Sequence, residues 1–228
     1  MVFADKVMTF YEKLILELPE STGVEVMNPL HDDTVKKIIE NFYKKFYDDS
    51  NKHILILGIN PGRFGAGVTG IPFTDPVHLE ENCAIPNGFN KKKEPSSIFI
   101  YDMIDAFGGV ESFYAKFFIG AVSPLGFVKD GKNYNYYDSK ELLNVLNDYL
   151  VKSIRDQIAI GCRTDVCICL GHGKNYKFLD KLNKEYHFFN KIIPLPHPRY
   201  IVQYRRKYYQ KHIDEYCEVL KEVLKFYC

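Results

Sequence analysis

The stretch His53-Ile54-Leu55-Ile56-Leu57-Gly58-Ile59-Asn60-Pro61-Gly62-Arg63-Phe64-Gly65 decides the fold. Its first seven residues are apolar or aromatic without alternation, the pattern of a strand buried on both faces of a parallel sheet. The run breaks at Asn60-Pro61-Gly62, where the chain must turn. Three further apolar stretches read as strands, at 118–122, 166–170 and 192–195. Helical periodicity fills the intervals at 97–107, 139–158 and 174–185, and a long helix from about 201 to 226 closes the chain. Strands alternating with helices predict an α/β protein, a three-layer α/β/α sandwich around a four-stranded parallel sheet. Ligands of such sheets bind beyond the carboxyl ends of the strands, so the loops there are the place to look for chemistry.

Upstream of the first strand lie two amphipathic helices. In the second, Val35, Ile38, Ile39, Phe42, Tyr43, Phe46 and Tyr47 keep helical spacing, and Asp32-Asp33-Thr34 offers a cap. Residues 1–228 are therefore expected to form one domain, with 1–50 as an N-terminal helical segment packed on it. The composition, 46% hydrophobic and 26% charged, excludes a disordered chain. A net charge of +1 excludes nucleic-acid binding by bulk charge, though not by a local basic face. No apolar run approaches the ~18 residues that span a bilayer, and the N-terminus has no signal-peptide core. A cytoplasmic protein that does not engage membranes is expected. The six cysteines, Cys83, Cys162, Cys167, Cys169, Cys217 and Cys228, form no C-x-x-C pair. They read as reduced thiols in the core, with no metal site and no cofactor.

The loop after the first strand, 58–73, holds five glycines and two prolines in 16 residues, which implies a shaped backbone. Gly62 and Gly65 would let a ligand approach the main chain, and Asn60 is placed to aim an amide at it. Asn60 serving only the turn is the plainer alternative. Gly171-His172-Gly173-Lys174 has Tyr176 where a dinucleotide fingerprint needs its third glycine, so it reads as a strand-to-helix turn. After the fourth strand, His197 stands between Pro196 and Pro198, on the same sheet edge as Asn60. From Pro198 to Ile213 there is no acidic residue. Arg199, Arg205, Arg206, Lys207 and Lys211 alternate with Tyr200, Tyr204, Tyr208 and Tyr209. That pattern suits a phosphate-binding face with rings that stack on bases, or else a solvated helix face. Lys91-Lys92-Lys93 would extend it, although a charge run in a loop is commonly just solvated.

Gly58-Ile59-Asn60-Pro61-Gly62-Arg63-Phe64-Gly65, Thr69-Gly70-Ile71-Pro72-Phe73, Ser123-Pro124-Leu125 and His197-Pro198-Arg199 together resemble the motifs of the uracil-DNA glycosylase superfamily. The single-strand-selective monofunctional branch is the nearest match. The resemblance covers about 54–205 and implies a glycosylase-like fold. It also implies a monofunctional DNA glycosylase that hydrolyses the N-glycosidic bond of uracil or a related deaminated or 5-modified base. Asn60 and His197 would be catalytic. Asn60 would position the attacking water at C1′, and His197 would donate a hydrogen bond to the departing base. Ile59, Gly62, Phe64, Phe73 and Ser123 would bind substrate, with Phe73 stacked on the extruded base. Gly62 would leave room for a C5 substituent. Arg199, Tyr200, Tyr204, Arg205 and Arg206 would bind DNA, and the enzyme would act as a monomer. The chain departs from the family at Ala121, where the base-reading asparagine belongs. Ser123 or main-chain groups are the substitutes expected. His197-Pro198-Arg199 is a contracted form of the second motif, and Arg63 replaces a proline. Two rival readings stay open: a nucleic-acid-binding protein of the same fold with little catalysis, and a hydrolase of free nucleotides or nucleosides. Ala121 favours the first of these, while Asn60 and His197 together argue against it.

Overall fold

The computed structural model describes residues 1–227, and Cys228 lies outside them. Among the described residues, seven strands run in chain order: β1 (Glu25–Met27), β2 (His53–Gly58), β3 (Phe117–Ala121), β4 (Gly126–Lys129), β5 (Lys132–Tyr134), β6 (Cys162–Leu170) and β7 (Lys191–Leu195). The α-helices are α1 (Phe3–Glu12), α2 (Asp33–Phe46), α3 (Ala66–Thr69), α4 (Pro76–Glu81), α5 (Pro95–Phe107), α6 (Gly109–Tyr114), α7 (Lys140–Ala159), α8 (Lys174–Tyr186), α9 (Pro198–Tyr204) and α10 (Tyr209–Tyr227). The main sheet is the four-stranded parallel one, in the order β3-β2-β6-β7.

All six residues of β2 are buried, because β3 and β6 flank it in the sheet and helices cover both faces. Ile56, Ile119 and Ile168 point to one face, where they meet Ile100 and Met103 of α5 and Tyr216 and Leu220 of α10. Phe118 points to the other, where its ring packs on Phe3 of α1 and on Tyr43 and Tyr47 at the end of α2. Each such side chain, fully buried, contributes roughly 1.5–3 kcal/mol relative to exposure. Asp32 caps α2 as its sequence suggests, its carboxylate accepting from the N–H groups of Thr34 and Val35. The same two bonds hold its pKa below the usual carboxylate value. The five described cysteines are free and buried, packed as core thiols.

Two features differ from the expectation. The closing helix begins at Pro198 rather than near 201 and is broken in two. Pro198 takes the first helical position, which suits its missing N–H, and His197 caps it. Arg205 leaves helical geometry at φ −127°, ψ 23°, and a 3-10 turn, Arg206–Tyr208, leads into α10. Residues 203–208 are all exposed, so this segment has no apolar stripe to hold a continuous helix against the core. The second difference is an unanticipated antiparallel sheet, β1-β4-β5. Its β4–β5 hairpin turns at Asp130-Gly131, both at positive φ (50° and 66°). Asp-Gly is a two-residue hairpin signal, outweighed here by the brevity of the flanking strands.

Candidate active site

Asn60 leaves β2, and its side chain is clamped by the segment that ends β5. Nδ2 donates to the carbonyls of Tyr134 (3.1 Å) and Pro61 (3.3 Å), and Oδ1 accepts from the N–H of Tyr136 (3.3 Å). An amide has two N–H donors and two oxygen lone pairs. Both donors are committed here, so the capacity left is one lone pair on Oδ1.

His197 leaves β7, separated from β2 by β6 alone. Its Nδ1 accepts from the Arg199 N–H at 3.2 Å, capping α9. An accepting Nδ1 puts the proton of the neutral ring on Nε2. The Tyr216 hydroxyl of α10 donates to the Pro196 carbonyl and braces this turn. Burial first, and the Arg199 guanidinium second, lower the pKa of His197 to about 4. The ring is therefore a neutral imidazole at pH 7.

Phe73 stands across from both. Its ring centroid lies 5.9 Å from that of His197, with the rings tilted by 48°. Its φ of 53° is uncommon for a bulky residue, and neighbouring bonds sustain it. The Thr69 hydroxyl donates to the Thr74 carbonyl (2.6 Å), and the Thr74 hydroxyl pairs with that of Tyr101 (2.9 Å). A Cβ on Gly58 would sit 2.8 Å from the Phe73 ring. Gly58→Ala should therefore displace the ring and slow single turnover about tenfold or more. A wild-type rate would show that the reaction does not use this wall.

Asn60, Ile59, Gly62, Phe73, His197, Arg199, Tyr200 and Tyr204 line one cavity of about 350 Å³ at the carboxyl edge of the sheet. A neighbouring groove of about 740 Å³ shares Ile59, His197 and Tyr200 with it and takes in Arg205. Arg205 donates to the Tyr200 hydroxyl (2.9 Å), and the rings of Tyr200 and Tyr204 lie 5.7 Å apart. Arg206 is exposed on the 3-10 turn beyond.

Two expected residues do not join the cavity. Ser123 is fully buried and donates its hydroxyl to the Leu125 carbonyl (2.7 Å) and its N–H to the Ile59 carbonyl (3.0 Å). It is sealed in the core and does not reach the cavity. Phe64 is 43% exposed and lies under the Lys92 ammonium instead. Lys91 and Lys93 pair with Glu80 and Glu81, so two of the three lysines of this run are locally neutralised. The main chain of Ala121 is spent as well. Gln157 of α7 accepts from its N–H (3.3 Å) and donates to its carbonyl (2.9 Å).

Sequence reasoning missed the hairpin's share of the site. Asn133, Asn135 and Tyr137 line the cavity. Asn133 accepts the Arg63 N–H (3.1 Å), and its Nδ2 lies 3.3 Å from where a Cβ on Gly62 would be. Glu94 is a further lining residue, its carboxylate capping α5 and its pKa raised by burial. Among the described residues, no group of three or more His, Cys, Asp or Glu side chains is placed to hold a metal. None of the described helices is long and apolar enough to cross a membrane.

A model of the uracil DNA glycosylase superfamily matches residues 44–221. The chain belongs to the uracil DNA glycosylase superfamily. Among solved structures, it is similar to the crystal structure of wild-type SMUG2 from Pedobacter heparinus. The TM-score is 0.94 and the identity 46%, covering 99% of each chain. No curated protein matches the sequence. The fold is that of a uracil DNA glycosylase, and the protein is a DNA glycosylase, a hydrolase of N-glycosidic bonds that serves base excision repair. The superfamily acts on DNA.

Proposed function

We propose that this glycosylase is monofunctional and removes uracil, and related deaminated or 5-modified bases, from a nucleotide turned out of the DNA stack. The observation that carries the reading is that Asn60, Phe73 and His197 line a single cavity. A target base must leave the stack to reach such a pocket, at least cost from a mismatch or a single strand. Phe73 offers the flat wall on which it stacks.

The committed donors of Asn60 decide its role. An amide cannot accept a proton, so Asn60 orients water through the free lone pair of Oδ1 and holds it against C1′. As the glycosidic bond lengthens, positive charge grows on the sugar and negative charge on the base. Nε2–H of His197 meets the latter, and a fixed donor aimed at developing charge in a site shielded from water is worth roughly 3–4 kcal/mol. The proton released as the water bonds to C1′ passes to solvent, the base leaves as an anion that takes up a proton from solvent in turn, and no covalent enzyme intermediate is required. Arg199, Tyr200, Tyr204, Arg205 and Arg206 hold the strand. A monomer acting in the cytoplasm is part of this proposal.

Defined oligonucleotides bearing uracil, 5-hydroxymethyluracil, xanthine or hypoxanthine, cleaved with alkali after incubation, test the reading. Strand scission at uracil is expected. Tight binding without scission at any of the four would make the protein a binding module of glycosylase fold. Replacing Arg205 and Arg206 with Ala should weaken binding to all sequences and lower the salt slope by about one for each phosphate no longer neutralised. An unchanged slope would assign these arginines to a solvated surface.

A further inference from the structure

The aim of Asn60 depends on where the segment after β5 sits, because both hydrogen-bonded faces of its amide are held by the main chain at Tyr134 and Tyr136. The side chain that anchors this segment in the core is Tyr136. Tyr136 is fully buried, its ring packed on those of Tyr137 (4.8 Å between centroids) and Phe178 (5.1 Å). Its hydroxyl meets Oδ1 of Asn175 at 2.7 Å. Asn175, in the first turn of α8, is 1% exposed, and its Nδ2 donates to the carbonyls of Leu170 (3.1 Å) and Gly58 (3.4 Å).

The directions of these bonds are forced. Two carbonyls can only accept, so Asn175 must present its N–H groups to them and its oxygen to Tyr136. Tyr136 must then donate. The result is a closed circuit. Gly58 ends β2, Asn175 ties it to the end of β6, Tyr136 ties Asn175 to the hairpin, and the hairpin N–H returns to Asn60, two residues beyond Gly58. Burial keeps the Tyr136 phenol protonated by raising its pKa well above the ordinary value, so the circuit is constant with pH. Neither side chain belongs to the family-like motifs read from the sequence.

We propose that Tyr136 and Asn175 are positioning residues that set the orientation of the Asn60 amide, and through it the geometry of water attack. The inference rests on the reading that Asn60 orients the water. It requires that both residues affect rate through Asn60 and leave DNA affinity alone.

The test is a double-mutant cycle on the full chain, read as single-turnover excision of uracil, with oligonucleotide affinity and thermal melting measured in parallel. Tyr136→Phe removes one oxygen atom and keeps the ring. It is expected to slow excision about 10–100-fold, the scale of a small misplacement of a reacting group, with the dissociation constant within about twofold. In an Asn60→Ala background the same change should cost less than about twofold, because the group it positions is gone. Asn175→Ala cuts the circuit from the other end and should show the same pattern if Tyr136→Phe folds poorly. A general loosening of the fold would lower the rate by the same factor in both backgrounds. That result, or a wild-type rate in Tyr136→Phe, overturns the proposal. If Asn60→Ala itself retains the wild-type rate, the role given to Asn60 fails and this inference fails with it. If Asn60→Ala is slow while Tyr136→Phe and Asn175→Ala are fast, only the inference fails.

Discussion

Asn60→Ala is expected to lower the single-turnover rate of uracil excision by about 10²–10³-fold or more, while DNA affinity stays near wild type. The hydrogen bonds of the amide explain the asymmetry. Its Nδ2 protons are held by Tyr134 and Pro61, and one lone pair of Oδ1 by Tyr136. Little of the group is left to bind substrate in the ground state. The remaining lone pair matters when water must approach C1′ along one line, and an interaction made only in the transition state lowers kcat without raising KM when it is removed. Asn60→Asp sharpens the expectation. A carboxylate could keep the bond from the Tyr136 N–H, but it would face the Tyr134 and Pro61 carbonyls with no proton to donate. It should also perform poorly unless it turns, despite being the stronger base. A variant with Ala at 60 that excises uracil at the wild-type rate would return Asn60 to a turn-forming role.

The parallel sheet was legible because an unbroken apolar run such as 53–59, short and bounded by Asn60-Pro61-Gly62, suits a buried strand better than a helix. The two catalytic candidates were legible for a related reason. Asn60 and His197 come directly after strands, and parallel strands deliver the residues at their carboxyl ends to one edge. The hairpin was not, since β4 and β5 hold four and three residues, too few for a periodic signal. Its Asp130-Gly131 turn was the available clue. The consequence for the site was large, because the hairpin and the segment that follows it supply the clamp on Asn60 and three lining residues. Ser123 shows a different limit. Its residue type suited base reading, but whether a hydroxyl is free depends on partners such as the Leu125 carbonyl that no motif records. The break at Arg205 was hidden too, because nothing between Pro198 and Tyr209 is a helix breaker. The segment departs from helix for want of a buried face.

The second large effect belongs to His197, and its two nitrogens need to be tested separately. Nδ1 accepts from the Arg199 N–H and caps α9, which leaves the proton of the neutral ring on Nε2, the donor proposed for the departing base. His197→Ala would remove both functions, and the lost cap alone costs about 0.5–2 kcal/mol of stability. His197→Ser isolates the second. Serine is among the best capping residues, yet its hydroxyl is too short to take the place of Nε2. The expected result is near-normal melting with excision slowed about 10²–10³-fold, as for removal of one donor to a developing anion. The pH behaviour stems from the lowered pKa of about 4. The unfolded chain binds a proton to this ring near ~6.5, whereas the folded chain resists it until about pH 4. The group's contribution to stability is thus complete above ~6.5 and is lost progressively as pH falls through the folded value. Activity should track the folded-state value. It should be level through neutrality and decline towards pH 4, where a proton on Nδ1 would oppose the Arg199 N–H and break the cap. A ring titration by NMR, assigned with His197→Ser, reads this directly. A midpoint at or above ~6.5 would replace the neutral donor with an imidazolium. The pH dependence would then reverse, with excision falling as pH rises through neutrality.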